Sequence, residues 1–140
     1  MHIHSLLISV HPKYVKKIFA GEKTVELRKV RPKISNGDVV LVYASSPTMA
    51  LVGGFEVDKV IEANPADLWS KVRKSAGLTK DEFSDYYNGS SHAYGIFIKE
   101  PWCFETPLAL KILRKRLAGF HPPQSYRYIS TQEAQLLGIL

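Results

Sequence analysis

The run Val39-Val40-Leu41-Val42-Tyr43 carries no charged or strongly polar side chain on either parity. As a strand it therefore has to be covered on both faces, so the fold needs structure above and below it. A chain of 140 residues is long enough to bury such a core as one domain, 1–140, without disulfides or metal. Other segments alternate instead. Ile3 to Val10 is predicted as a strand with Leu6, Ile8 and Val10 on one parity. Thr24 to Val30 is a strand with Val25 and Leu27 pointing one way and Thr24, Glu26 and Arg28 the other. Ala50 to Ile61, Ala93 to Lys99 and Trp102 to Thr106 complete the strands, with Pro101 marking a bulge or an edge. Gly53-Gly54 inside a strand predicts a bulge, or a close approach by a ligand or another backbone.

Helices fall between them. Pro12 suits a first helical turn, with Val15, Ile18 and Phe19 on one face and Lys13, Lys16 and Lys17 on another, and Gly21 as the stop. Asn64-Pro65 opens a helix with Leu68, Trp69 and Val72 on its apolar side. Thr79 and Glu82 form a capping box for a helix that turns Phe83, Tyr86 and Tyr87 inward. Leu108 to Leu117 reads as a short basic helix, and Ser130 with Glu133 caps a last one. Turns fall at Asn36-Gly37-Asp38 and Ser45-Ser46-Pro47-Thr48, and Pro122-Pro123 forces an extended path. The expected fold is α+β: a small curved sheet or barrel with helices on its rim.

Composition narrows function. The single Cys103 excludes an internal disulfide and multi-cysteine zinc sites, and between Trp102 and Phe104 it reads as a buried strand thiol. His2 and His4 have no nearby carboxylate or thiol, so they read as surface histidines and no metal or cofactor is expected. The start has no cationic n-region and no apolar run approaches membrane-spanning length, which makes the cytoplasm the expected compartment and a membrane an unexpected partner. The net charge of +6 is uneven. Lys13 to Lys33 has eight basic and two acidic residues; Lys111 to Arg127 has five basic and none acidic. If those segments meet in space they make a polyanion-binding patch; otherwise they are two solvated faces.

In order along the chain come Gly21, Lys23, Glu26 and Arg28 (G-x-K-x-x-E-x-R), Tyr43-Ala44-Ser45-Ser46-Pro47, Gly53-Gly54, a helical insertion, Tyr94-Gly95-Ile96, and Pro122-Pro123-Gln124-Ser125-Tyr126-Arg127-Tyr128. This set resembles the ASCH domain, a branch of the PUA-like superfamily, over about Ile3 to Tyr128. The resemblance implies a PUA-like barrel of about six strands with a cleft between barrel and helices. It also implies an association with RNA or modified bases, and enzymatic relatives that include acetylcytidine amidohydrolases and ribonucleases. Lys23, Glu26 and Arg28 carry over as cleft residues, and Ser45, Ser46, Gln124, Ser125 and Arg127 less directly.

The chemistry of these residues stands beside the resemblance. Arg28 can fork onto a phosphate or a guanine edge, with Lys23 as a point charge. Glu26 can hold that guanidinium or accept from a base amino group; equally, the pair can be a structural ion pair. Tyr43, Tyr94 and Tyr126 can offer stacking faces or be core. Amidohydrolases of this type use a threonine three residues after the lysine, where this chain has Glu26; Thr24 is about 7 Å away along the strand. A nearby carboxylate is expected to raise the Lys23 pKa, the wrong direction for a general base. Ribonuclease chemistry fits better, with Glu26 as base and Lys23 and Arg28 on phosphorane oxygens, and His92 or a tyrosine as a conceivable acid. Gly21-Glu22-Lys23-Thr24 is not a P-loop, and no G-x-S-x-G or H-E-x-x-H occurs.

The leading expectation is a binding domain for RNA or another single-stranded nucleic acid, using Lys13, Lys16, Lys17, Lys23, Glu26, Arg28, Ser45, Ser46, Gln124, Ser125 and Arg127. The alternative is an enzyme on RNA or nucleosides working through Lys23, Glu26 and Arg28, with ribonuclease ahead of amidohydrolase. A third is a regulatory protein whose basic surface meets an acidic protein. The oligomeric state is left open.

Overall fold

The structure, a computed structural model, describes residues 5–139. His2, His4 and the start of the first expected strand lie outside them. The elements are β1 (Ser5–Val10), α1 (Pro12–Phe19), β2 (Val25–Arg28), β3 (Val39–Ala44), β4 (Ala50–Ala63), α2 (Pro65–Val72), α3 (Lys80–Tyr86), β5 (Ala93–Ala109), α4 (Leu110–Arg116), β6 (Tyr126–Ile129) and α5 (Thr131–Leu137). The strands form one sheet in the order β2-β5-β4-β3-β1-β6. Among the described residues β1 and β3 run parallel and the other pairs are antiparallel. The result is the expected α+β architecture, a six-stranded curled half-barrel with five helices.

Strand alternation decides what packs where. Leu6, Ile8 and Val10 of β1 and Val40 and Val42 of β3 enter one cluster with Val15 and Ile18 of α1, Phe55, Val57 and Ile96. Leu7, Leu41 and Tyr43 face the opposite way, onto Leu110 and Leu113 of α4, Phe120, and Ala134 and Leu137 of α5. The uninterrupted apolar run of β3 is thus covered on both faces, each buried aliphatic side chain contributing about 1.5–3 kcal/mol. Val25 and Leu27 of β2 form a third cluster with Leu68, Val72, Phe83 and Tyr87. Asn64, Thr79 and Ser130 cap α2, α3 and α5 as the sequence implies, the last two as complete capping boxes.

Two expectations change. The two strands expected on either side of Pro101 are one strand, β5, whose irregularity is absorbed by Glu100 at φ 50° and by shifts of register against β4. Cys103 is exposed rather than buried. β2 pairs only with Tyr94–Phe97 of β5, so the second half of β5 is an edge flanked on one side alone. The two basic segments also do not form one face, because α1 and α4 pack on opposite sides of the β1–β3 pair. Gly53 and Gly54 do mark a close backbone approach: a Cβ on Gly53 would collide with the Trp102 carbonyl, and one on Gly54 would stand 2.6 Å from the Val40 oxygen.

Candidate nucleic-acid interface

β2 and β6 are the two edges of the curled sheet and do not pair with each other. Across the gap between them lies a cleft of about 210 Å³, bounded by Ser9 and Val10 at the end of β1, His11 and Tyr14 of the α1 turn, Lys23, Glu26, Leu27 and Arg28, and Leu78, Glu82 and Tyr86 from the α3 side. Parity puts Glu26 and Arg28 there. They alternate with Val25 and Leu27, which α2 and α3 bury, and Glu26 lies opposite Ile96 of the barrel interior.

Lys23, Glu26 and Arg28 are the buried charged residues among the described residues, at 2%, 6% and 7% exposure. Their mutual contacts are long. Glu26 Oε1 is 3.7 Å from Lys23 Nζ, and Glu26 Oε2 is 3.3 Å from an Arg28 terminal nitrogen. The Arg28 nitrogens donate to Ser125 Oγ and the Ser9 carbonyl at 3.4 Å each, and Nε has no partner among the described residues. Well-formed charged bonds measure about 2.7–2.9 Å. Desolvating each ion costs several kcal/mol, and a structural ion pair offsets that only with tight geometry. This cluster is sheltered from water yet under-coordinated.

Lys23 is better bonded than Arg28, its Nζ donating to the Ala76 carbonyl at 2.6 Å. Burial pulls the Lys23 pKa down, outweighing Glu26, which pushes it up. The expected rise is therefore reversed, which removes that objection to Lys23 as a base; Glu26 still occupies the position the amidohydrolases give to threonine. Tyr14 Oη donates to Glu82 Oε2 at 2.6 Å, and burial with that bond pushes the phenol up to about 12. Glu82, bonded by the Thr79 amide, Tyr14 and Lys13, is held well below the usual carboxylate range. The Lys13, Lys17 and Lys23 ammonium groups stand 5.4–5.8 Å from the Tyr14 ring centroid.

The expected binding residues divide. Lys23, Glu26 and Arg28 come together in this cleft, and Ser125 touches Arg28 beside it. Lys13 is exposed but tied to Glu82, and Lys17 is tied to the Gly77 carbonyl, whereas exposed Lys16 has no such tie among the described residues. Ser45, Ser46 and Gln124 line a second depression of about 410 Å³ with Tyr43, Met49, Leu110, Arg114, Pro122 and Pro123. Ser9 borders both. Arg127 belongs to neither: it sits on the parity opposite Tyr126, paired with Glu133 and 5.8 Å over the Phe120 ring. His92 lies on the surface against Glu62, away from the cleft. Tyr43 is 2% exposed in the core, and Tyr126 packs on the first cluster and against Tyr128, so neither offers a free stacking face. The sequence reading missed Ser9, His11, Tyr14, Glu82 and Tyr86. His11 was legible as the residue before Pro12, the N-cap position, where its Nδ1 accepts from the Lys13 amide at 3.1 Å. That bond places the proton of the neutral ring on Nε2.

The model of the ASCH domain family matches residues 8–107. The chain belongs to the ASCH family. This ASCH domain is 28% identical over 131 residues to the ASCH domain-containing ribonuclease of Zymomonas mobilis, covering 94% of this chain and 88% of that protein. The crystal structure of ASCH from Zymomonas mobilis superposes with a TM-score of 0.90 at 28% identity, covering 97% of this chain and 94% of the other. The N-terminal domain of Staphylothermus marinus McrB shares the fold, with a TM-score of 0.65 at 11% identity over 96% of this ASCH domain and 92% of that chain.

Proposed function

We propose that this ASCH domain binds single-stranded RNA, with a phosphate or base edge of the strand held by Arg28 and Lys23 in the cleft at the barrel mouth. The observation that carries the reading is the under-coordinated Arg28: a buried guanidinium whose bonds are 3.3–3.4 Å long and whose Nε is unpartnered. An anionic acceptor in the cleft completes its coordination, and the low-dielectric surroundings strengthen that contact. Glu26 keeps the guanidinium aimed, and Lys16 adds long-range attraction from the rim. The test is binding of a short single-stranded RNA at rising salt. Affinity falls as salt rises, and Arg28→Ala lowers it about tenfold or more while keeping the fold. If RNA fails to bind even at low salt, or binds Arg28→Ala equally well, the reading is wrong.

Cleavage of the bound strand is the second reading, favoured by the similarity to the Zymomonas ribonuclease and by His11 at the cleft rim. Attack of a ribose 2′-hydroxyl on phosphorus needs a group to take its proton and another to protonate the departing 5′ oxygen. Glu26 is the group placed to take the hydroxyl proton, and His11 at the rim, in its protonated form, the group that donates one from Nε2 to the departing oxygen. Lys23 and Arg28 would neutralise the phosphorane oxygens. His11→Ala is then expected to slow cleavage about 100-fold with little change in RNA affinity. Intact RNA after long incubation with the wild-type protein, with or without divalent metal, would reject this second reading and leave binding standing.

A further inference from the structure

α3 is a partition with a hollow on each side. With about 3.6 residues per turn, Glu82 and Tyr86 share one face of the helix, the face that borders the Arg28 cleft. Lys80, Phe83 and Ser84, with Tyr87 just past the last turn, share the opposite face and line a hollow of about 460 Å³ against α2. Asp81 and Asp85 fall between the two faces and border neither. The hollow lies within the roughly 300–1,000 Å³ of small-molecule sites.

Its surfaces are of two kinds. Trp69 of α2 is half-buried there, its ring centroid 4.9 Å from that of Phe83, which in turn stands 4.7 Å from Tyr87. These rings make a wall on which a planar aromatic group can pack. The charged residue of the lining is Lys80, exposed and outside every ion pair among the described residues. Ser84 and Ser90 add hydroxyls. An aromatic wall beside one unpaired ammonium group selects a planar aromatic molecule that carries an anionic group.

Tyr87 joins this hollow to the cleft. It is 3% exposed and forms part of the hollow's wall, while its hydroxyl donates to the Arg28 carbonyl at 3.1 Å. Tyr86, 4.8 Å away ring to ring, borders the cleft and donates to the Leu27 carbonyl. A ligand that fixes α3 from the far side therefore orders both supports of the Leu27–Arg28 backbone. A strand that needs Arg28 then gains affinity, and by linkage the ligand gains the same factor from the strand.

We propose that the α2–α3 hollow is a regulatory site for a nucleoside monophosphate, its base packed on Trp69 and its phosphate on Lys80, and that its occupancy tightens the hold of Arg28 on RNA. The site stands on its own geometry, whereas its effect on RNA rests on the RNA-binding reading. Lys80→Ala alters an exposed side chain and Tyr87→Phe removes one hydroxyl, so both variants keep the fold.

The chain has two tryptophans, so Trp102→Phe leaves Trp69 as the indole that reports on the hollow. The test titrates adenosine monophosphate into this protein, with adenosine and inorganic phosphate as comparisons. The nucleotide is expected to quench Trp69 saturably, and phosphate alone to leave it unchanged. Lys80→Ala is expected to weaken the nucleotide about tenfold and adenosine little, because only the phosphate contact is lost. Arg28→Ala is expected to quench as its parent does, since the cleft takes no part. Saturating nucleotide is expected to tighten binding of a short single-stranded RNA about fivefold or more. Tyr87→Phe, which cuts the link to Arg28, is expected to lose that gain and keep the quenching. An unquenched Trp69, or equal nucleotide affinity in Lys80→Ala, overturns the site. Quenching with no change in RNA affinity overturns its regulatory role. If RNA fails to bind at all, the RNA-binding reading falls, and the Trp69 titration still decides the hollow.

Discussion

Arg28, at the end of one edge strand, donates to Ser125 Oγ, just before the other edge strand, at 3.4 Å. This contact bridges the two sides of an open half-barrel that share no backbone ladder. It is long for a charged bond, so it guides the guanidinium more than it holds the barrel shut. Ser125→Ala is therefore expected to cost only about 0.5 kcal/mol in urea unfolding, the low end for one hydrogen bond. RNA affinity should fall more than stability does, because the guanidinium loses a guide. Loss of several kcal/mol would mean the bridge is structural instead.

Glu26 carries the opposite expectation. It is the shared counter-charge of Lys23 and Arg28, and both cations are buried. Glu26→Gln leaves two like charges without it, which is expected to cost about 3 kcal/mol or more in stability. Lys23 already titrates below the ordinary lysine value because of burial, and Glu26 is the main influence raising it. In the variant its pKa falls further. Below the unfolded lysine pKa but above the folded one, the unfolded state binds more protons, so stability rises with pH in that window. That rise should be larger in Glu26→Gln than in wild type, and Lys23 should react faster with amine reagents near neutral pH.

How much of this was legible depended on whether one strand or two explained a residue. Val25 to Arg28 announced its own split, because alternation assigns each side chain a face. The caps at Asn64, Thr79 and Ser130 were equally local. Glu82 was read correctly as a capping residue and incompletely as a cleft residue, since its bond to Tyr14 joins positions 68 apart. Arg127 failed for a related reason: its motif neighbour Ser125 meets Arg28, but strand parity turns Arg127 to the other face, onto Glu133. Cys103 followed its apolar neighbours in sequence, while its exposure is set by where β2 stops pairing with β5.

The Tyr14–Glu82 bond ties α1 to α3 across the cleft and has a pH signature. The Tyr14 phenol is pushed up to about 12, by burial first and then by Glu82, against about 10 when unfolded. Between those values the unfolded state loses its proton first, so this contribution is intact below pH ~10 and is lost as pH climbs through about 12. Tyr14→Phe should remove this part of the alkaline decline, leaving a flatter profile, and lower Tm by a few degrees at neutral pH. Phenolate absorbance should lose one late-titrating group. An unchanged alkaline decline would show that the bond does not form in solution.

In Tyr43 the ring and the hydroxyl carry different expectations. Its ring is enclosed by Leu7, Leu41, Leu51 and Leu113, which makes it part of the packing that covers β3. Its hydroxyl has no hydrogen-bond partner among the described residues. A buried donor left unsatisfied costs about 1–3 kcal/mol, so replacing it by hydrogen should not weaken the fold. Tyr43→Phe is expected to unfold at the same denaturant concentration as wild type, or later by up to about 1 kcal/mol in stability. Tyr43→Ala, which empties the ring's volume, should lose about 3–5 kcal/mol. A clear loss of stability in Tyr43→Phe would mean that the hydroxyl is bonded within the protein.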